Sequence, residues 1–194
     1  MPHLLVRPRV HSQPPRPLPL VHRRERSNGD AGEGHEGDAV PLMVYAARIG
    51  TRDPDALNIT RASGGAAGLP FAPTWRILRP ALDARRERAE LIAIASASPD
   101  DPAAGWALDV AAMEWASAWE TYCAAYLAEM RLSYRDFRPA WERLVARQRV
   151  VLACYCHDEE HCHRRILGAH ILPRLGAVWC GEVGATQTNA RPPK

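Results

Sequence analysis

Lysine is all but missing from this chain. Lys194 alone interrupts an otherwise all-arginine basic set of 25 residues, which faces 22 acids for a formal net charge of +3. An excess that small does not by itself point to nucleic acid, although arginine can build local patches. Long apolar runs are missing too. No stretch approaches the ~18 residues of a membrane span. Proline and arginine break the segment from Met1 to Arg24 before a signal-peptide core forms. The small-residue loop after Thr60 is not a G-x-G-x-x-G and carries no Walker lysine. The sixth residue after Cys156 is Cys162 rather than the arginine of a phosphatase loop. The loop after Thr60 is therefore a weak phosphate signal, and phosphatase chemistry is disfavoured. No internal repeat is visible. The five cysteines are an odd number with no secretion signal. That combination predicts a reducing, cytoplasmic setting with free or metal-bound thiols.

At 194 residues and 46% hydrophobic, the chain can bury one sizeable core, and one domain is expected. Six of its 17 prolines fall in the first 20 residues. Residues 1–42 read as a disordered Arg/Pro-rich arm, and residues 184–194 as a disordered tail. Translation from Met43 is an alternative expectation for the arm. The domain is expected to span residues 43–183.

Within it, Met43–Ile49 reads as a first strand and Ala56–Thr60 as a second. After Thr60 comes a small-residue loop, Arg61–Gly68. Its backbone could approach a phosphate with side-chain help from Thr60, Arg61 and Ser63, although a plain flexible loop is the commoner explanation. Thr74–Arg88 is helical in character, with a break expected at Pro80. A long helix is predicted from Gly105 to Met130, its aromatic stripe at helical spacing reading as core. A further helix follows from Ser133, regular from about Pro139. Arg131, Arg135, Arg138 and Arg143 lie off its apolar stripe, as on a solvated face. Ala177–Cys180 reads as a last strand after the stop at Leu175-Gly176.

The central stretch is Val150–Cys156, an apolar, β-favouring run that suits a strand buried on both faces. A polar turn follows, then a helix from Arg164 to Leu172. Three of the five cysteines and three of the eight histidines fall within Cys154–His163. A strand ending in a loop at a helix start is where α/β proteins usually place chemistry. Three readings fit these residues. Cys154, Cys156 and Cys162, with His163, are a possible zinc set, though C-x-C is tight and Cys162 and His163 should leave a helix in different directions. Cys156 and Cys162 are candidate reactive thiols with His163 beside them. His163 and Arg164 are candidate contacts for an anionic ligand. Buried, inert thiols are the structural alternative, favoured for Cys154.

Val151-Leu-Ala-Cys-Tyr-Cys156, followed after five residues by Cys162-His-Arg-Arg165, resembles the C-terminal signature of the bacterial and phage family called domain of unknown function 488. Met43–Gly50, Thr60-Arg61, Phe71–Trp75 with Leu78–Pro80, Tyr126–Arg131 and Ser133–Arg135 extend the likeness over about residues 43–180. Tyr155-Cys156 stands where many members carry an acid after the first cysteine, so Asp158, Glu159 or Glu160 would have to replace it. Glu87–Ala118 looks like an enlarged connection. The resemblance implies a compact α/β domain and no particular activity.

The expected architecture is three-layer α/β, with a small, mostly parallel sheet flanked by helices and the site at the C-terminal end of the central strand. The leading functional expectation is a phosphate-bearing ligand, a nucleotide or nucleic acid, held by Thr60, Arg61, Ser63, His163 and Arg164. The alternatives are a thiol- or zinc-dependent enzyme using Cys156 and Cys162, and a phage-type accessory protein acting by protein contact. No membrane partner is expected, and the sequence leaves the oligomeric state open.

Overall fold

The computed structural model describes residues 40–98 and 100–183; the expected arm, except its last residues, and the expected tail lie outside them. Four strands form one sheet: β1 (Met43–Arg48), β2 (Ala56–Asn58), β3 (Arg149–Cys154) and β4 (Val178–Glu182). Their order is β2-β3-β1-β4, and every pairing is parallel. This fits the expected three-layer α/β fold. β3 lies inside the sheet, with Val150, Val151 and Leu152 fully buried. A run apolar at every position, rather than at alternate ones, is what a strand covered on both faces requires.

Register places Val44 opposite Val150 and Ala46 opposite Leu152. Val44, Val150 and Leu152 join Leu57, Ile59, Phe71, Tyr126, Trp141, Leu144, Leu167 and Leu172 in one core. On the other face Tyr45 and Arg149 meet, the guanidinium 4.8 Å from the ring centre. The link from β1 to β2 is short. It leaves beside the end of β3, where the Ile49 N–H bonds the Cys154 carbonyl. It returns to the start of β3, where Asp53 and Asp55 accept from Arg149 at 2.7 Å.

A short turn of helix, α1 (Gly65–Gly68), follows β2. Two long helices come next, α2 (Trp75–Ala97) and α3 (Pro102–Asp136), and then α4 (Arg138–Val145). Pro80 does not break α2. A proline in the second turn removes one amide donor, and a helix packed along α3 tolerates that loss. α3 also runs on to Asp136, so the long helix and the first turn of the next one are a single element. The backbone turns only at Phe137, and Pro139 sits in the first turn of α4, where its missing N–H costs nothing. Of the expected aromatic stripe, Trp115, Tyr122, Tyr126 and Met130 are buried. Asp101 caps α3 by accepting from the Ala103 N–H at 2.9 Å.

After β3 the chain turns into α5 (His163–Arg165), continues as a π-helical turn over Ile166–Ile171, and tightens to a 3₁₀ turn over Leu172–Leu175. Gly176, at φ 90°, ends it. Among the described residues, no helix is long and apolar enough to cross a membrane.

Candidate thiol centre

β3 ends at Cys154, two residues earlier than its apolar run suggests, and Tyr155-Cys156 already belongs to the turn. That early end changes the geometry of C-x-C. On a continuous strand, residues i and i+2 share a face about 7 Å apart; the turn instead folds the Cys156 sulfur back to 3.6 Å from that of Cys154. Cys162 arrives from the other side. Its backbone is extended (φ −135°, ψ 140°), just ahead of the helix that begins at His163. Neighbouring residues at such a change of conformation are not bound to diverge as they would inside a helix. The sulfurs of Cys154, Cys156 and Cys162 all lie within 4.8 Å of one another. Cys154 and Cys162 are buried and Cys156 is half-buried.

His163 closes the inner side of the cluster. Its Nε2 lies 3.0 Å from the Ile59 carbonyl oxygen. A carbonyl only accepts, so Nε2 carries the proton. Burial lowers the imidazole pKa, which keeps the ring neutral and leaves Nδ1 with a free lone pair. That nitrogen is 3.8 Å from the Cys154 sulfur. The three thiols differ in acidity. Hydrogen bonds from Cys154 and Cys162 hold Cys156 far below the usual thiol range. The bond to Cys156 pushes Cys154 up to about 11, and burial pushes Cys162 well above the usual thiol range.

Arg164 is 1% exposed. Its Nε donates to Glu182 Oε1 and its Nη1 to the Cys156 carbonyl at 2.9 Å. The guanidinium thus braces the turn from behind, between the thiols and β4.

Thr60 and Ser63 meet the turn by a different route. Asn58, Thr60 and Ser63 form one side-chain network, and Ser63 Oγ lies 2.9 Å from the Tyr155 hydroxyl. Arg61 turns elsewhere, donating from Nε and Nη2 to the Pro73 and Ala72 carbonyls at 2.7 Å. The small-residue loop has a packing cause. A Cβ on Gly68 would stand 1.7 Å from the Asn58 carbonyl oxygen, so only glycine lets this turn lie on the end of β2.

A narrow crevice of about 30 Å³ reaches the cluster, lined by Cys156, His161, His163, Arg85, Trp115 and Trp119 among others. His161 lies against both tryptophans, 5.2 and 5.1 Å between ring centres, and its Nδ1 is 2.7 Å from Asp158 Oδ2. Sequence reasoning named Asp158 only as a possible replacement for the family's acid and left without roles Glu182, Tyr155 and the His161–Asp158 pairing. Only the last carries a local signal, its spacing of three residues.

The fold and site define an α/β protein with a thiol cluster where its central strand ends. The family model for DUF488-N3a, described as the active DUF488-N3 subclade, matches residues 98–175. That segment contains α3, α4, β3 and the whole Cys-Tyr-Cys…Cys-His-Arg signature. The resemblance to the domain-of-unknown-function 488 family holds over this segment, which is shorter than the 43–180 expected. Comparison with curated proteins and with solved structures gives no match.

Proposed function

We propose that the chain is a metal–thiolate enzyme whose centre is built by Cys154, Cys156 and Cys162, with zinc the ion best suited to three such donors. The convergence of the three sulfurs carries this reading. With Zn–S bonds of about 2.3 Å, the edge of a tetrahedron is about 3.8 Å. The Cys154–Cys156 separation is 3.6 Å, and every pair in the set lies within 4.8 Å. His163 supports it: a neutral imidazole with Nε2–H fixed on a carbonyl presents a lone pair toward the same cluster. Where the three sulfurs alone hold the ion, one tetrahedral position is left for an exchangeable ligand, the arrangement of catalytic zinc; His163 Nδ1 in that position would instead close a structural Cys₃His site. The crevice at Cys156 supplies the route to the open position.

Anion recognition by Cys-His-Arg is the weaker reading at this turn, because Arg164 already donates to Glu182 and to a backbone carbonyl. One observation favours metal-free thiol chemistry instead. Cys156 is the most accessible of the three, and hydrogen bonds from its neighbours hold its pKa low.

The test is metal content by mass spectrometry after expression in zinc-supplemented medium, with thiol titration under native conditions. About one zinc per chain is expected, with all three thiols protected until a chelator is added, and Cys162→Ser should lose most of the metal. A metal-free protein with a single fast thiol at Cys156 would sink the metal reading and establish the nucleophile instead.

A further inference from the structure

On the other side of the Phe71–Thr74 segment, away from the thiols, lies a cavity larger than the crevice at Cys156. Its volume is about 820 Å³, within the ~300–1,000 Å³ usual for small-molecule sites. None of its lining residues is shared with the crevice at Cys156. It opens between the Arg61–Thr74 segment and the junction of α3 with α4. Leu69, Leu132 and Phe137, all more exposed than is usual for large apolar side chains, form part of its wall.

The charges around it are unevenly satisfied. Glu129 accepts from the Thr74 N–H at 2.9 Å and from the Thr74 hydroxyl, and lies 3.6 Å from Arg76. Asp136 is held by Arg135 at 2.7 Å. Both acids of the lining therefore have partners. Arg61 and Arg143 have no carboxylate partner among the described residues. Arg61 is also pre-oriented, since the Ala72 and Pro73 carbonyls take its Nε and one Nη and, among the described residues, its other terminal nitrogen has no partner. A guanidinium clamped by neutral acceptors keeps its full positive charge and loses little freedom when an anion binds.

We propose that this cavity binds an organic phosphomonoester, its phosphate on Arg61 and Arg143 and its apolar or aromatic body against Leu132 and Phe137. Two unpaired arginines favour a phosphomonoester over a carboxylate, because the former carries close to two negative charges at neutral pH. The apolar wall favours an ester over inorganic phosphate. The site is independent of the thiol centre.

The test is calorimetric titration of the full chain with adenosine 5′-monophosphate, with inorganic phosphate and octanoate as separate arms. Saturable nucleotide binding at one site is expected, displaced by a large excess of inorganic phosphate and not by octanoate. Arg61→Lys, which keeps the charge and loses the fork, should weaken it about tenfold, roughly the loss of one charge-assisted hydrogen bond. Arg143→Glu, on an exposed helix face where folding is not at stake, should weaken it about a hundredfold by replacing attraction with repulsion. Cys162→Ser should bind as the unsubstituted chain does. The proposal is overturned by no binding at millimolar nucleotide, by octanoate binding more tightly than nucleotide, or by nucleotide binding that ignores Arg143→Glu. Binding lost with Cys162→Ser would also overturn it, because the ligand would then belong to the thiol centre.

Discussion

Arg164 and Glu182 form a closed pair, Nε to Oε1 at 2.5 Å, with the arginine side chain 1% exposed and the glutamate 15%. Burial works against the guanidinium charge, but the adjoining thiols and Glu182 outweigh it and raise its pKa. Removing one partner strands a buried cation. Glu182→Ala should therefore cost about 3 kcal/mol, read as a lower urea midpoint at unchanged slope. Replacing both, as Arg164→Met with Glu182→Leu, should cost less than the single change, since no charge is left unpaired. A double variant as unstable as the sum of its parts would show that the pair itself carries no coupling.

The central strand and its site could be read in advance because the cues were local. Val150–Cys156 is apolar at consecutive positions, and three cysteines fall within the nine residues Cys154–Cys162. The failures have physical causes as well. Pro80 signals a break only where nothing else holds a helix, and α3 packed along α2 supplies that hold. The merging of two predicted helices into α3 left no local mark, because Arg131–Asp136 suits either assignment. The partners of Arg164 and Arg61 were hidden for another reason. Glu182 lies 18 residues on, and the acceptors of Arg61 are backbone carbonyls, which every sequence offers everywhere. The same-strand picture of Cys154 and Cys156 failed because strand length was judged by apolarity, while the ladder ends at Cys154.

A second prediction concerns the π-helical turn. A Cβ on Gly168 would stand 2.2 Å from Cζ3 of Trp179 and 2.5 Å from its Cε3. Gly168→Ala should therefore cost about 1–3 kcal/mol by overpacking. The obstruction is a side chain and can be removed, so Trp179→Leu should be less harmful on the Gly168→Ala background than alone. Gly68→Ala offers no such relief, because its obstruction is the Asn58 backbone. Paired urea titrations decide the matter. Strict additivity at Gly168 and Trp179 would mean that the helix shifts to make room.

Acid stability should depend on Asp53. The Arg149 guanidinium, bonded to both of its oxygens, holds this carboxyl below the usual range, and the Asp55 N–H adds to the effect. A folded pKa below the unfolded ~3.9 means the stabilisation is complete above that value. It is lost as pH falls through the folded pKa. Asp53→Asn should therefore flatten the loss of stability below about pH 4 while lowering stability at neutral pH. Urea midpoints between pH 2 and pH 7 would show it. An acid limb as steep in Asp53→Asn as in the unsubstituted chain would place the pH dependence on other carboxylates.

If the proposed centre holds zinc, removing the ion should act on folding. A ion bound only by the folded chain adds RT ln(1 + [L]/Kd), about 2.7 kcal/mol at a hundred times Kd. The unfolded chain keeps Cys154 and Cys156 two residues apart, but Cys162 reaches them only through the turn that Arg164 braces. The three-sulfur set is thus a property of the fold, and most of the binding energy should appear as stability. Chelation should lower the melting temperature of the unsubstituted chain by several degrees and restoring zinc should reverse the change. Cys154→Ser, destabilised from the outset, should respond to neither. His163→Gln separates ligation from packing: its amide can still donate to the Ile59 carbonyl, but it offers no imidazole lone pair to the cluster. If the nitrogen contributes to the ion, His163→Gln should melt near the unsubstituted chain in chelator and well below it in zinc. Equal deficits in both conditions would make His163 a packing residue and leave the centre to sulfur alone.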